Sequence, residues 1–114
     1  MHSFKYFCTM ILYNTTYQMP EADARGFVIW VHEVMLPRIH EFGHMRHGRL
    51  SRILSHKEEG SECFALQFEV ESTARLHYWF VRQGKALGEE IQKTFEGRVI
   101  GFSTMMEVIT EGEQ

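Results

Sequence analysis

The sequence predicts an α+β domain of ferredoxin-like β-α-β-β-α-β type: a four-stranded antiparallel sheet with two helices on one face, pairing into a homodimer. Three observations lead there. Segments with strand and helix character alternate in the order strand, helix, strand, strand, helix, strand. The 114 residues, 44% hydrophobic and 24% charged, suit one globular domain with one core. The first strand is partly apolar on both faces, and the first helix is apolar nearly all round, so each needs cover on two sides.

Residues 10–17, Met-Ile-Leu-Tyr-Asn-Thr-Thr-Tyr, are rich in β-branched and aromatic types and read as the first strand. Pro20 and Glu21 open a helix, with Glu21 and Asp23 at the positive end of its dipole. Ala24, Phe27, Val28, Val31 and Met35 recur at helical spacing, and Ile29, Trp30 and Leu36 widen the stripe. Pro37 is expected to kink or end this helix, and Gly43 marks a turn. Residues 49–55 form the second strand, 57–61 a polar turn, and 63–71 the third strand, with Phe64, Leu66, Phe68 and Val70 on one side.

Ser72 is suited to cap the second helix, whose apolar positions are Leu76, Trp79, Phe80, Leu87, Ile91 and Phe95. Gly84 predicts a bend or break, and Gly97 a stop. Residues 99–109 form the last strand. The expected boundaries are an N-terminal extension over residues 1–9, one domain over 10–110 and a polar tail over 111–114.

This order leaves one sheet face bare, with several apolar residues on it. A second copy of the same sheet is the simplest cover, so the expected partner is another copy of the chain. A formal net charge of −3 is not the basic footprint of a nucleic-acid binder. No run of about 18 apolar residues suggests a membrane span. The first nine residues lack the pattern of a secretory leader, and two cysteines make no disulfide framework, so the cytoplasm is the expected location. Taking the first and third strands as parallel neighbours, Cys8 and Cys63 near their starts are expected to lie close, as inert thiols.

Residues 10–16 (Met-Ile-Leu-Tyr-Asn-Thr-Thr), Trp30 with Pro37 seven residues on, residues 66–72 (Leu-Gln-Phe-Glu-Val-Glu-Ser) and residues 95–99 (Phe-Glu-Gly-Arg-Val) together resemble a bacterial family. It is domain of unknown function 4286, and the likeness runs from Met10 to Ile109. The family is similar to dimeric α+β barrel proteins, a group that includes small monooxygenases, haem-degrading enzymes and stress-response barrels. The resemblance implies the fold and a dimer, and no activity. Relatives begin near Met10. They carry histidine where this chain has Met35, and another where it has Gln83 or Ile91, so shared histidine chemistry is not expected here.

The sharpest candidate constellation is Asn14, His77 and Trp79. The fold group's haem-degrading members use these residue types on the first strand and second helix, since imidazole ligates haem iron and an amide can steer bound oxygen. The plainer reading is a core Trp79, a surface His77 and an Asn14 that ends a polar strand face. His40, His44 and His47 are a weak metal candidate with Glu41, but they show no established ligand spacing and read first as a solvated loop. Glu69 and Glu71 read as a solvated strand face.

The leading expectation is a small dimeric binding domain without catalysis and without a cofactor. It would hold a small apolar molecule between sheet and helices, near Tyr13, Asn14, Trp30, His77 and Trp79. The alternatives are a haem-binding or cofactor-independent monooxygenase, and a structural or regulatory protein that docks a partner on its first helix.

Overall fold

A computed structural model describes residues 10–55 and 57–112. The expected extension over residues 1–9, Cys8 with it, and the last two residues of the tail lie outside the described residues. The strands are β1 (Ile11–Pro20), β2 (Arg46–Arg52), β3 (Ser61–Val70) and β4 (Ile100–Glu107), and they form one sheet in the order β2-β3-β1-β4. All three pairings are antiparallel. Two helical runs pack on one face of the sheet. The first comprises α1 (Glu21–Trp30), a π turn (Val31–Met35) and α2 (Leu36–Phe42). The second comprises α3 (Thr73–Trp79), a π turn (Phe80–Gly84) and α4 (Lys85–Thr94). This is the predicted ferredoxin-like β-α-β-β-α-β fold.

The antiparallel ladder corrects one expectation. The first and third strands are not parallel, because β3 returns directly from β2 by a hairpin and so runs against β1. Cys63 therefore pairs with Gln18 near the end of β1, and the expected neighbourhood of Cys8 and Cys63 lies outside the described residues. Strand ends shift too. β1 runs on to Pro20, which tolerates the last position because its missing N–H is not needed there. β2 begins at Arg46, with a bulge between Arg46 and Arg49. Gly48 in that bulge has no room for a side chain, since a Cβ there would collide with the Phe68 ring.

Pro37 does not end the first helical run, which continues to Phe42. The π turn just before it widens the ladder, with the Leu36 N–H bonded to the Val31 carbonyl, and this accommodates a ring that would press on the carbonyl four residues back. Gly84 does not break the second run either. It closes the second π turn, and the Trp79 indole lies where its side chain would be. Ser72 caps α3 as predicted, its hydroxyl accepting from the Arg75 N–H at 3.1 Å. The stop at the end of α4 involves two left-handed residues, Glu96 (φ 53°) and Gly97 (φ 77°). The Gly97 N–H bonds the Gln92 carbonyl at 2.9 Å and the Glu96 N–H the Lys93 carbonyl at 3.3 Å.

The core lies between the helices and the inner face of β1 and β3. Ile11, Thr15, Tyr17 and Met19 from β1 meet Phe64, Leu66, Phe68 and Val70 from β3. Phe27, Val31, Met35 and Ile39 cover them from one helical run, and Leu76, Trp79, Leu87 and Ile91 from the other. Arg98 fastens the approach to β4 onto α1 with two bonds to Asp23, at 2.8 and 2.9 Å. The helices leave β4 uncovered: all eight of its residues are exposed. On the outer sheet face, Leu12, Asn14 and Thr16 alternate with the buried set, beside Gln67 and Ala65 of β3 and Phe102, Thr104 and Met106 of β4. The large apolar groups of that face sit on β4, where Ile100 is 66% and Phe102 65% exposed.

Candidate functional site

The gap between the second helical run and the β1–β4 pair is not filled. It holds a cavity of about 210 Å³. Its floor is the inner face of the sheet: Tyr13, Thr15, Tyr17, Leu66 and Phe68, with Gly101 and Ser103 from β4. Its roof is Trp79, Phe80, Gly84, Gly88 and Ile91 from the second helical run, with Met35 from the first.

Local sequence explains why the gap exists. Gly101 faces Tyr17 across the β1–β4 ladder, and a Cβ there would lie 2.9 Å from the tyrosine ring, so β4 brings no side chain inward at that point. Gly88 adds none from above, and nothing lies within 4 Å of where its Cβ would be. Gly84 lets the Trp79 indole fold flat against the π turn. Three glycines thus keep the roof and the floor thin.

Trp79 is buried and fixed at both ends. Its Nε1–H donates to Gln83 Oε1 at 2.7 Å, and Gln83 Nε2 donates to the Arg38 carbonyl at 3.1 Å, which ties the roof to the first helical run. The Tyr13 ring meets the indole edge-on, with centroids 5.8 Å apart and planes at 67°. The polar atoms of the floor are hydroxyls. Tyr13 donates to Ser103 Oγ at 3.0 Å, and Ser103 Oγ and Thr15 Oγ1 share a bond of 2.8 Å. Burial, with a smaller contribution from neighbouring Tyr13, pushes the Tyr17 hydroxyl well above the ordinary phenol range, so it stays protonated at neutral pH. No Asp, Glu, His, Lys, Arg or Cys is among the described residues lining the cavity.

A second, open hollow of about 580 Å³ adjoins the cavity. Tyr13 and Phe80 belong to both, and Thr73, Ala74, Leu76, His77 and Met105 complete the hollow.

The predicted site residues divide among these places. Tyr13 and Trp79 line the cavity, and His77 lines the hollow. Asn14 is on the outer sheet face, opposite Gln67 and Thr104, with its Nδ2 3.3 Å from Thr16 Oγ1. It therefore stands across the sheet from Trp79, and the constellation of Asn14, His77 and Trp79 does not converge. Trp30, half-buried at the end of α1, packs against the core and lines neither space. His40 is exposed on α2. His44 has a left-handed backbone (φ 70°) and stacks between Phe42 and Tyr78, with Nδ1 3.3 Å from Arg75 Nη1. His47 is 3.9 Å from Glu69. Among the described residues, no three His, Cys, Asp or Glu side chains are placed to hold a metal ion. No helix among them is long and apolar enough to cross a membrane.

Residues that the sequence alone did not assign to the site are Thr15, Ser103, Gly88 and Gly101. Gly88 reads from sequence as a weak point of the second helix and Gly101 could have been noticed as a break in a strand-like run, but pairing Ser103 with Thr15 needs the register of β1 on β4. Of the positions where relatives are expected to carry histidine, Met35 and Ile91 line the cavity, and Gln83, the alternative to Ile91, does not.

The sequence profile of the family described as domain of unknown function (DUF4286) matches residues 10–109. No curated protein matches the chain. Among solved structures, a dimeric ferredoxin-like protein from an uncultured marine organism superposes with a TM-score of 0.72, at 12% identity over 91% of this chain and 99% of that one. A Bacillus cereus protein named for the antibiotic biosynthesis monooxygenases superposes with a TM-score of 0.61, at 15% identity over 93% of this chain and 99% of that one. At these identities the likeness is one of fold.

Proposed function

We propose, from the premise that this chain belongs to the DUF4286 family, that it is a binding domain for a small uncharged molecule held in the cavity between the sheet and the second helical run. The observation that carries this reading is the cavity itself. A space of about 210 Å³ is kept open by glycines on opposite walls while the core beside it is closely packed. Its size exceeds the roughly 150 Å³ of an apolar cavity that accepts benzene.

Binding stands ahead of catalysis because of the lining. A general acid or base must exchange a proton near neutral pH. The titratable groups lining the cavity among the described residues are Tyr13 and Tyr17, and burial makes Tyr17 a weaker acid still. The monooxygenase alternative draws support from the name of one fold neighbour and from no proton-transfer group in this cavity.

The working unit is a homodimer. Ile100, Phe102 and Met106 put apolar surface on the outer face of an uncovered strand, and a second copy of that face would remove it from water. The dimeric state named for one fold neighbour agrees with this. The free thiol of Cys63 suits a reducing, cytoplasmic setting.

Titration of ¹⁵N-labelled protein with benzene tests the site. The expected result is saturable shifts at the amides of Gly84, Gly88 and Ser103. Shifts confined to the outer sheet face, or none at saturation, refute the cavity as a binding site. Light scattering of wild type and Ile100→Lys tests the dimer, and a wild-type monomer at low micromolar concentration refutes it.

A further inference from the structure

We infer that the cavity selects a neutral phenol-type molecule: one aromatic ring with a hydroxyl, carried whole and un-ionised. The inference rests on the reading of the cavity as a ligand site and names the class of ligand.

Three features of the lining define that class. The first is shape and surface. Tyr13, Tyr17, Phe68, Trp79 and Phe80 surround the space, and aromatic walls favour edge and offset contacts with an aromatic ring. The volume of about 210 Å³ admits a single ring with roughly two or three further heavy atoms.

The second feature is the polar wall. Tyr13, Ser103 and Thr15 share two hydrogen bonds among three hydroxyls. Each hydroxyl has one proton to give and two lone pairs, and Thr15 also bonds the Tyr17 hydroxyl, so the wall has more acceptors than donors to spare. A ligand hydroxyl, which both gives and accepts, can answer that wall. A carbonyl or ether offers it no proton, and a hydrocarbon leaves it unanswered.

The third feature is charge. No described side chain lining the cavity bears a charge, and the nearest fixed partner of Trp79 is the neutral Gln83 amide. A carboxylate or phenolate would lose its water without gaining a cation, and an ammonium would lose it without gaining an anion. The lining therefore favours the protonated form of the ligand and raises its pKa.

The test compares benzene, phenol, 4-cyanophenol and benzoate on the intact protein by ¹⁵N shifts, with Ser103→Ala and Tyr13→Phe alongside. Phenol is expected to bind roughly tenfold more tightly than benzene, about the effect of one net hydrogen bond. Both variants are expected to shrink the ratio of phenol affinity to benzene affinity, each ratio being read on the same variant. Tyr13→Phe serves if Ser103→Ala disturbs β4. The ultraviolet absorbance of 4-cyanophenol reports its ionisation, and its pKa is expected to rise on binding. Equal affinity for benzene and phenol overturns the hydroxyl assignment while the cavity stands. Tighter binding of benzoate, or a lowered pKa of bound cyanophenol, overturns neutrality while the cavity stands. Failure of all four ligands, benzene included, overturns the site and the inference together.

Discussion

Replacing Gly84 with alanine is expected to destabilise the fold, whereas the same replacement four residues on, at Gly88, is expected to stabilise it. Both glycines are helical, so each substitution gains about 1 kcal/mol of intrinsic helix preference. Their surroundings differ. A Cβ at Gly84 would sit 2.6 Å from Trp79 Cζ3, 2.7 Å from Cη2 and 3.1 Å from Phe80 Cδ1. The indole cannot swing away freely, because it is buried and its Nε1–H is held by Gln83 at 2.7 Å. Overpacking of this kind costs about 1–3 kcal/mol, which cancels or outweighs the helix gain and leaves a net loss of up to about 2 kcal/mol. At Gly88 nothing lies within 4 Å, and the gain of about 1 kcal/mol remains. Thermal unfolding followed by tryptophan fluorescence reads both variants, whose stabilities should separate by about 1–3 kcal/mol, or about 4–8 °C in melting temperature for each kcal/mol. Near-ultraviolet circular dichroism should change for Gly84→Ala alone. If the two variants shift stability equally, the close fit of indole to π turn has no energetic weight and the reasoning fails.

Glu96→Gly should raise stability by about 1 kcal/mol in thermal unfolding, since it relieves a left-handed non-glycine residue at the end of α4. Ser72→Ala should lower it by about 1 kcal/mol through loss of the α3 cap, and Ser72→Asp should restore most of that. The Arg98 hydrogen bonds hold the Asp23 carboxyl below its ordinary range. Because the folded value is the lower one, this contribution is present above the unfolded carboxylate range near pH 4 and fades as pH falls through the folded value. Asp23→Asn should therefore flatten the acid limb of the stability curve while lowering stability at neutral pH, and an unchanged acid limb would contradict the assignment.

The fold was legible because each element has its own period and punctuation. The alternation of β3, the Ser72 cap and the doubled apolar faces all point to one β-α-β-β-α-β order. The π turns were also written in the sequence, in a form that ordinary periodicity misreads. Ala24, Phe27, Val31, Met35 and Ile39 are buried at steps of three, four, four and four. In a regular helix three successive steps of four drift by about 120°, and one extra residue in a π turn removes most of that drift. The same signal appears as a step of five from Trp79 to Gly84. Read at 3.6 residues per turn, these positions look like a stripe that is too wide. The cavity was only half legible. Tyr13 and Trp79 declare themselves as aromatics on elements that face each other. Thr15 and Ser103 become neighbours only through the pairing of β1 with β4, a contact across 88 positions. Asn14 was drawn into the candidate set by residue type, and the two-residue alternation of a strand sends it to the other side of the sheet.

β4 has a further consequence for how the molecule moves. No helix covers it, its eight residues are exposed, and it is held by the ladder to β1, the Tyr13 and Thr15 bonds to Ser103, and contacts just before its start, where Arg98 clasps Asp23 and Gln92 bonds the Val99 carbonyl. It is thus an edge strand with little to lose by opening, and its amides should exchange with solvent well ahead of those of β3. Because it is also one wall of the cavity, its loosening would widen the space, and a guest that bonds Ser103 would tie the edge strand down and slow exchange along it.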